Sequence, residues 1–83
     1  MRVVVKLYAT LADFLPAGTK ANRVEVDVAN AATLASVLAP FNLPPQLTHL
    51  VLLNGVFVAP ADRPVTCLNE GDTVAVWPPI AGG

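Results

Sequence analysis

Arg23-Val24-Glu25-Val26-Asp27-Val28 alternates charged and apolar side chains without a break. Successive side chains of a strand point to opposite faces, so three valines share one face and Arg23, Glu25 and Asp27 share the other. Such a strand belongs to a sheet that is covered on one side and open to water on the other. Towards the N-terminus, Arg2 to Tyr8 repeats the pattern: Val3, Val5 and Leu7 face one way, and Arg2, Val4, Lys6 and Tyr8 face the other. The two segments can pair as a hairpin with a long connection. Within that connection Leu11, Phe14 and Leu15 have the i, i+3, i+4 spacing of one or two helical turns, ended by Pro16-Ala17-Gly18.

Towards the C-terminus the period changes. Thr33 can cap a helix by offering its hydroxyl to an unpaired N–H, and Leu34, Val37, Leu38 and Phe41 then form one apolar stripe. Pro40 falls near the end of that helix, and Pro44-Pro45 forbid its continuation. Leu50–Leu53 and Val56–Val58 flank Asn54-Gly55, the dipeptide favoured in tight hairpins. Residues 60–69 read as loop, Glu70-Gly71-Asp72 as a turn, and Thr73–Trp77 as the final strand. The order is strand, strand, helix, then further strands. One amphipathic helix suffices to cover one face of a small mixed sheet. The fold class is therefore α+β, with the layout of the ubiquitin-like β-grasp, expected over residues 1–77.

With 83 residues the chain makes one small domain with a modest core. It is 54% hydrophobic, with a mean hydropathy of +0.59, but no apolar run is long enough to cross a bilayer; the nearest, 50–61, is split by Asn54-Gly55. Met1 to Val5 opens directly into a strand pattern and lacks the marks of a secretory signal, which suits a cytoplasmic protein. A net charge of −1 without a basic cluster argues against nucleic acid or membrane as partner. The single cysteine, Cys67, cannot form an internal disulfide, and its apolar neighbours suggest a packing role. The only histidine, His49, has no partner at metal-ligand spacing, so no metal site is expected. Asp62, Glu70 and Asp72 lie in turn-like stretches, where carboxylates usually cap backbone groups. These residues assemble into no conventional set of catalytic side chains.

Chemistry is concentrated instead at Trp77-Pro78-Pro79-Ile80-Ala81-Gly82-Gly83. Pro78 and Pro79 have no N–H to offer a ladder, and their fixed φ holds the chain extended. Residues 78–83 read as an extended tail that reaches up to roughly 20 Å. Gly82 and Gly83 lack a Cβ and pass through a slot that would exclude other residues. A strand, a stiff spacer, two glycines and an expected free carboxylate suit delivery into another protein's active site.

Taken with these motifs, the chain resembles the MoaD-type sulfur carriers, the small subunit of molybdopterin synthase, within the MoaD/ThiS ubiquitin-like superfamily. The likeness spans nearly the whole chain. It rests on the opening Val3-Val4-Val5-Lys6-Leu7-Tyr8-Ala9, the helix start Thr33-Leu34, Asn54-Gly55, Leu68-Asn69-Glu70-Gly71-Asp72-Thr73-Val74 and the tail. The paired prolines favour the molybdopterin branch over the thiamin-type carriers. Ala12 departs from the pattern, since members often carry arginine there, and residues 59–66 match loosely.

The resemblance implies that the Gly83 carboxylate is adenylated and then converted to a thiocarboxylate, with Gly82, Ala81, Ile80, Pro79 and Pro78 forming the tail that presents it. It implies three partners: an E1-like adenylyltransferase using ATP and Mg²⁺, a sulfur donor protein, and the synthase large subunit. No cofactor is expected to be held permanently, and the chain is expected not to be an enzyme alone. By the strand alternation Tyr8 and Trp77 point away from the helix, and Phe57 can join them; large aromatics on an open sheet face suggest partner binding. Two alternatives are a carrier for a thiamin or tungsten-cofactor pathway and a ubiquitin-like protein modifier.

Overall fold

A computed structural model of the chain describes residues 1–17, 19 and 21–79. The end of the first turn at Gly18 and the tail 80–83 lie outside the described residues. Five strands form one sheet: β1 (Arg2–Leu7), β2 (Arg23–Asp27), β3 (Leu50–Leu53), β4 (Val56–Phe57) and β5 (Thr73–Trp77). Their order across the sheet is β2-β1-β5-β3-β4. The central pair, β1 and β5, runs parallel; β1–β2, β3–β5 and β3–β4 are antiparallel. Among the described residues a single α-helix, α1 (Leu34–Leu38), covers one face. This mixed sheet under one helix is the ubiquitin-like β-grasp.

The register shows why the alternation works. Val5 lies opposite Val24 on one side and Val74 on the other, and Leu7 lies opposite Val76, which is itself opposite Val51. Val3, Val5, Leu7, Val51, Val74 and Val76 have no exposed surface, and Leu34, Val37 and Leu38 of α1 pack over them. The β2 valines are only half-buried because β2 is an edge strand beyond the reach of the short helix.

α1 is shorter than the apolar spacing predicts. Its N-terminus is held reciprocally: Ser36 N–H donates to Thr33 Oγ1 at 3.2 Å, and Thr33 N–H donates to Ser36 Oγ at 2.9 Å. At the far end Pro40 has no N–H, and the chain tightens into a 3-10 turn over Ala39–Phe41. That turn closes at Asn42, in the left-handed region with φ 54°. The first connection also forms a 3-10 turn, Ala9–Phe14; Leu11 is buried and Leu15 packs on the core, whereas Phe14 is exposed.

Two expectations are corrected. Residues 60–69 are not a plain loop: Pro60–Val65 forms a 3-10 turn, started by Pro60 and closed by Thr66 Oγ1 donating to Asp62 O at 2.7 Å. Arg63 holds this turn in place. It is 9% exposed, its Nε donates to Val58 O at 3.1 Å, and its Nη1 donates to Thr48 O at 3.1 Å. Among the described residues Nη2 is buried without a partner, and burial pushes the guanidinium pKa below its usual value. Cys67 is exposed rather than packed. It pairs with Thr33 in an isolated antiparallel bridge, and alternation gives the core position to its neighbour Leu68.

Candidate functional site

The sheet face opposite α1 is divided by composition. At the β2 end it carries Arg23, Glu25 and Asp27, with Arg2 and Lys6 of β1 beside them; Arg2 Nε lies 3.3 Å from Asp27 Oδ1 in an exposed pair. At the β5–β3–β4 end it is apolar. One row runs through Tyr8, Trp77 and Leu50, and the next through Ala75, Leu52 and Phe57. Trp77 is 39% exposed, Phe57 52% and Leu50 36%. Val56, the other residue of β4, is exposed on the opposite face, in the row of Leu53 and the buried Val74. The three aromatic candidates thus share one face, away from the helix. A contiguous exposed apolar patch beside a polar margin is the composition of a protein contact surface.

Tyr8 and Trp77 are in direct contact. Their ring centroids lie 3.7 Å apart with planes 3° from parallel. The main chain brings them together: Leu7 pairs with Val76 in the parallel ladder, and Tyr8 N–H donates to Val76 O at 3.1 Å. Each ring therefore projects from the same row of adjacent strands. Isolated aromatic pairs prefer offset or edge-to-face geometry with centroids about 4.5–7 Å apart, so this nearly face-to-face stack reflects the ladder as well as the rings. On the other side of Trp77, Leu50 is its direct cross-strand partner.

Pro78 and Pro79 follow at once and are half-buried. Ile80, Ala81, Gly82 and Gly83 lie outside the described residues. The far edge of the site is fixed by the Asn54-Gly55 turn, with φ 50° and 87° at its two residues. Both Asn54 and Gly55 thus take the left-handed region that an I′ hairpin turn requires. Asn54 Oδ1 accepts from Thr73 N–H at 2.9 Å, and Asn54 Nδ2 donates to Asp72 Oδ1 at 3.0 Å, tying the hairpin to the start of β5. Asp72 Oδ2 accepts from Asn69 N–H, and both Glu70 carboxylate oxygens accept from Arg2 N–H, so these carboxylates cap backbone groups. Asp62 caps through its carbonyl rather than its side chain.

Among the described residues no three His, Cys, Asp or Glu side chains are grouped to hold a metal ion, and no helix is long and apolar enough to cross a membrane. His49 is exposed and directly precedes Leu50. The described part of the site offers an apolar, partly exposed surface. Leu50 and Leu52 belong to it although only the aromatic residues stand out in the sequence. The signal was the unbroken run Leu50-Val51-Leu52-Leu53: a strand that does not alternate is apolar on both faces, so its outer face has something to cover.

Comparison with known proteins follows the same lines. The sequence profile of the ThiS family matches residues 5–83. Among solved structures, SAMP1 from Haloferax volcanii superposes with a TM-score of 0.73 at 28% identity, covering 100% of both chains. The thiamine biosynthesis protein ThiS from Geobacter metallireducens gives 0.66 at 19% identity, again over 100% of both chains. A protein–protein complex of subunits 1 and 2 of the molybdopterin-converting factor from Helicobacter pylori gives 0.61 at 22% identity and the same full coverage. No curated protein sequence matches significantly. With its β-grasp fold and a family match over nearly its whole length, the chain belongs to the ThiS family, within the ubiquitin-like sulfur-carrier superfamily.

Proposed function

We propose that this chain carries sulfur for molybdopterin synthesis, with a β-grasp body over residues 1–77 and a working tail over residues 78–83. The observation that carries this reading is the stacked Tyr8–Trp77 pair on an open apolar face, immediately before Pro78-Pro79. A partner docking on that face receives the tail at a fixed point.

The chemistry starts from a poor electrophile. The Gly83 carboxylate attacks the α-phosphate of ATP held by an E1-like partner; pyrophosphate leaves and an acyl adenylate forms. Sulfide-level sulfur from a donor attacks the acyl carbon, the C–O bond to AMP breaks and AMP leaves. The product is a thiocarboxylate whose sulfur is a better nucleophile than the original oxygen. In the large subunit that sulfur would be transferred to cyclic pyranopterin monophosphate to build the dithiolene. ATP, Mg²⁺ and the catalytic side chains belong to the partners, and a cytoplasmic setting, where ATP is supplied, suits the reaction. The Helicobacter pylori complex of subunits 1 and 2 supports a large-subunit partner, and the paired prolines support this branch.

A second reading, a protein modifier whose Gly83 forms isopeptide bonds with lysines, is favoured by the 28% identity over the full length to SAMP1, described as a small archaeal modifier protein. Activation is the same in both. The test is intact-mass analysis after incubation with the E1-like partner, ATP and a sulfur donor. Replacement of one oxygen by sulfur at the C-terminus is expected. It should be lost on deletion of Gly83 and strongly reduced in Gly82→Val, where a β-branched side chain blocks the slot. Complementation of a host lacking its own molybdopterin synthase small subunit identifies the branch. Rescue of thiamin synthesis alone moves it to the thiamin carriers, and lysine-linked adducts without rescue favour the modifier.

A further inference from the structure

We infer that Tyr8 is a positioning residue for the tail: by stacking on Trp77 it fixes the end of β5 and hence the point and direction from which Pro78 departs. This role is separate from direct partner contact, and it rests on the tail-delivery reading above.

Three observations converge on it. First, Trp77 is the last residue of β5 and the one directly before the proline pair. A strand end ordinarily frays, because its last groups have few partners. Here the end is bracketed: Tyr8 covers one face of the indole at 3.7 Å, and Leu50 lies opposite on the neighbouring strand. Second, Tyr8 is itself fixed. It follows β1, its N–H donates to Val76 O, and its carbonyl accepts from Leu11 N–H at 3.0 Å. The chain then turns sharply at Ala9, with φ 53°. The phenol ring is thus anchored by main-chain bonds on both sides, and it passes that order to an indole that is itself 39% exposed. Third, with centroids only 3.7 Å apart the two parallel rings lie nearly face to face, closer than the roughly 4.5–7 Å of the offset stacks that free rings prefer, in keeping with rings held where the backbone places them.

The consequence follows from reach. Pro78 and Pro79 transmit a change of direction stiffly, because their φ angles are fixed. A change of orientation at Trp77 therefore changes the direction in which the chain leaves Pro79. A misplacement of about 1 Å can cost on the order of a hundredfold in rate.

Trp77 is the only tryptophan, so its fluorescence reports the stack without labelling. In the free full-length chain, Tyr8→Ala should lower indole anisotropy and narrow the Trp77 Nε1–H resonance as the ring gains motion, and Tyr8→Phe should restore both. In single-turnover adenylation with saturating E1-like partner, Tyr8→Ala should lower the rate by at least about tenfold, with Tyr8→Phe recovering most of it. Circular dichroism and a thermal melt check that Tyr8→Ala is folded; Leu50→Ala, which loosens the other side of Trp77, gives a second variant with the same expected direction. An indole as rigid in Tyr8→Ala and Leu50→Ala as in the parent overturns the inference. So does a loss seen only in KM, with the saturating rate unchanged, because that is the signature of a contact residue. If Gly83 deletion proves fully active, the tail reading fails by itself, and the anisotropy result still decides whether the stack orders Trp77.

Discussion

Phe57 separates docking from folding more cleanly than any other residue of the aromatic face. It lies on the two-residue edge strand β4, opposite Leu52, and is 52% exposed. A phenylalanine side chain can bury about 200 Å², which leaves roughly 100 Å² free for a partner to cover. At about 25 cal/mol per Å² that area corresponds to an upper value of about 2.5 kcal/mol. Alanine keeps part of this and the partner relaxes into the rest, so Phe57→Ala should cost about 1–2 kcal/mol, a rise in Kd of roughly 5- to 30-fold. Within the free domain the loss is one cross-strand pair on an edge, worth about 0.2–1 kcal/mol. Titration calorimetry against the large-subunit partner, with a thermal melt of each variant, reads both quantities. Glu25→Gln, at the polar β2 end of the same face, serves as the control and should bind within twofold of the parent. A Phe57→Ala variant that is folded and binds within twofold of the parent would refute the assignment of this face to docking.

Two further outcomes concern the scaffold. Thr33→Ala removes one arm of the reciprocal cap on α1 and should destabilise the domain by about 1 kcal/mol, a fall in Tm of roughly 4–8 °C, measured by thermal circular dichroism. Arg63→Met leaves Val58 O and Thr48 O without their donors and should cost about 1–3 kcal/mol in chemical denaturation, with amide exchange accelerated first across Pro60–Val65.

The sheet was legible because its signal is local. Arg2–Tyr8 and Arg23–Val28 state their own faces by alternation, and the valines that share a face in sequence share one in space. Asn54-Gly55 marked a turn that only left-handed residues make easily, and Thr33 marked the start of α1. Missed details depend on contacts distant in sequence. Ser36 completes the cap only when the helix has formed. Arg63 carries no local signal of its own in Ala61-Asp62-Arg63-Pro64; two carbonyls, one of them fifteen residues away, draw it inward. Cys67 reads as core from its neighbours, but its facing is set by the bridge to Thr33, which no local pattern announces.

The site shows the same division, with one difference that bears on function. Alternation was enough to put Tyr8 and Trp77 on the open face, because each lies at the end of a regular strand. That the two rings touch required the pairing of β1 with β5, strands at opposite ends of the chain that run parallel. A parallel pair needs a long crossover, and here the crossover is the rest of the domain. The aromatic platform beside the tail therefore exists only once the whole β-grasp has closed. An unfolded or partly folded chain has the glycines but not the platform, so the fold itself determines when the tail has a docked point of departure. On the proposed reading, this makes delivery of Gly83 depend on completion of folding, because the platform that would dock the partner forms only with the closed sheet.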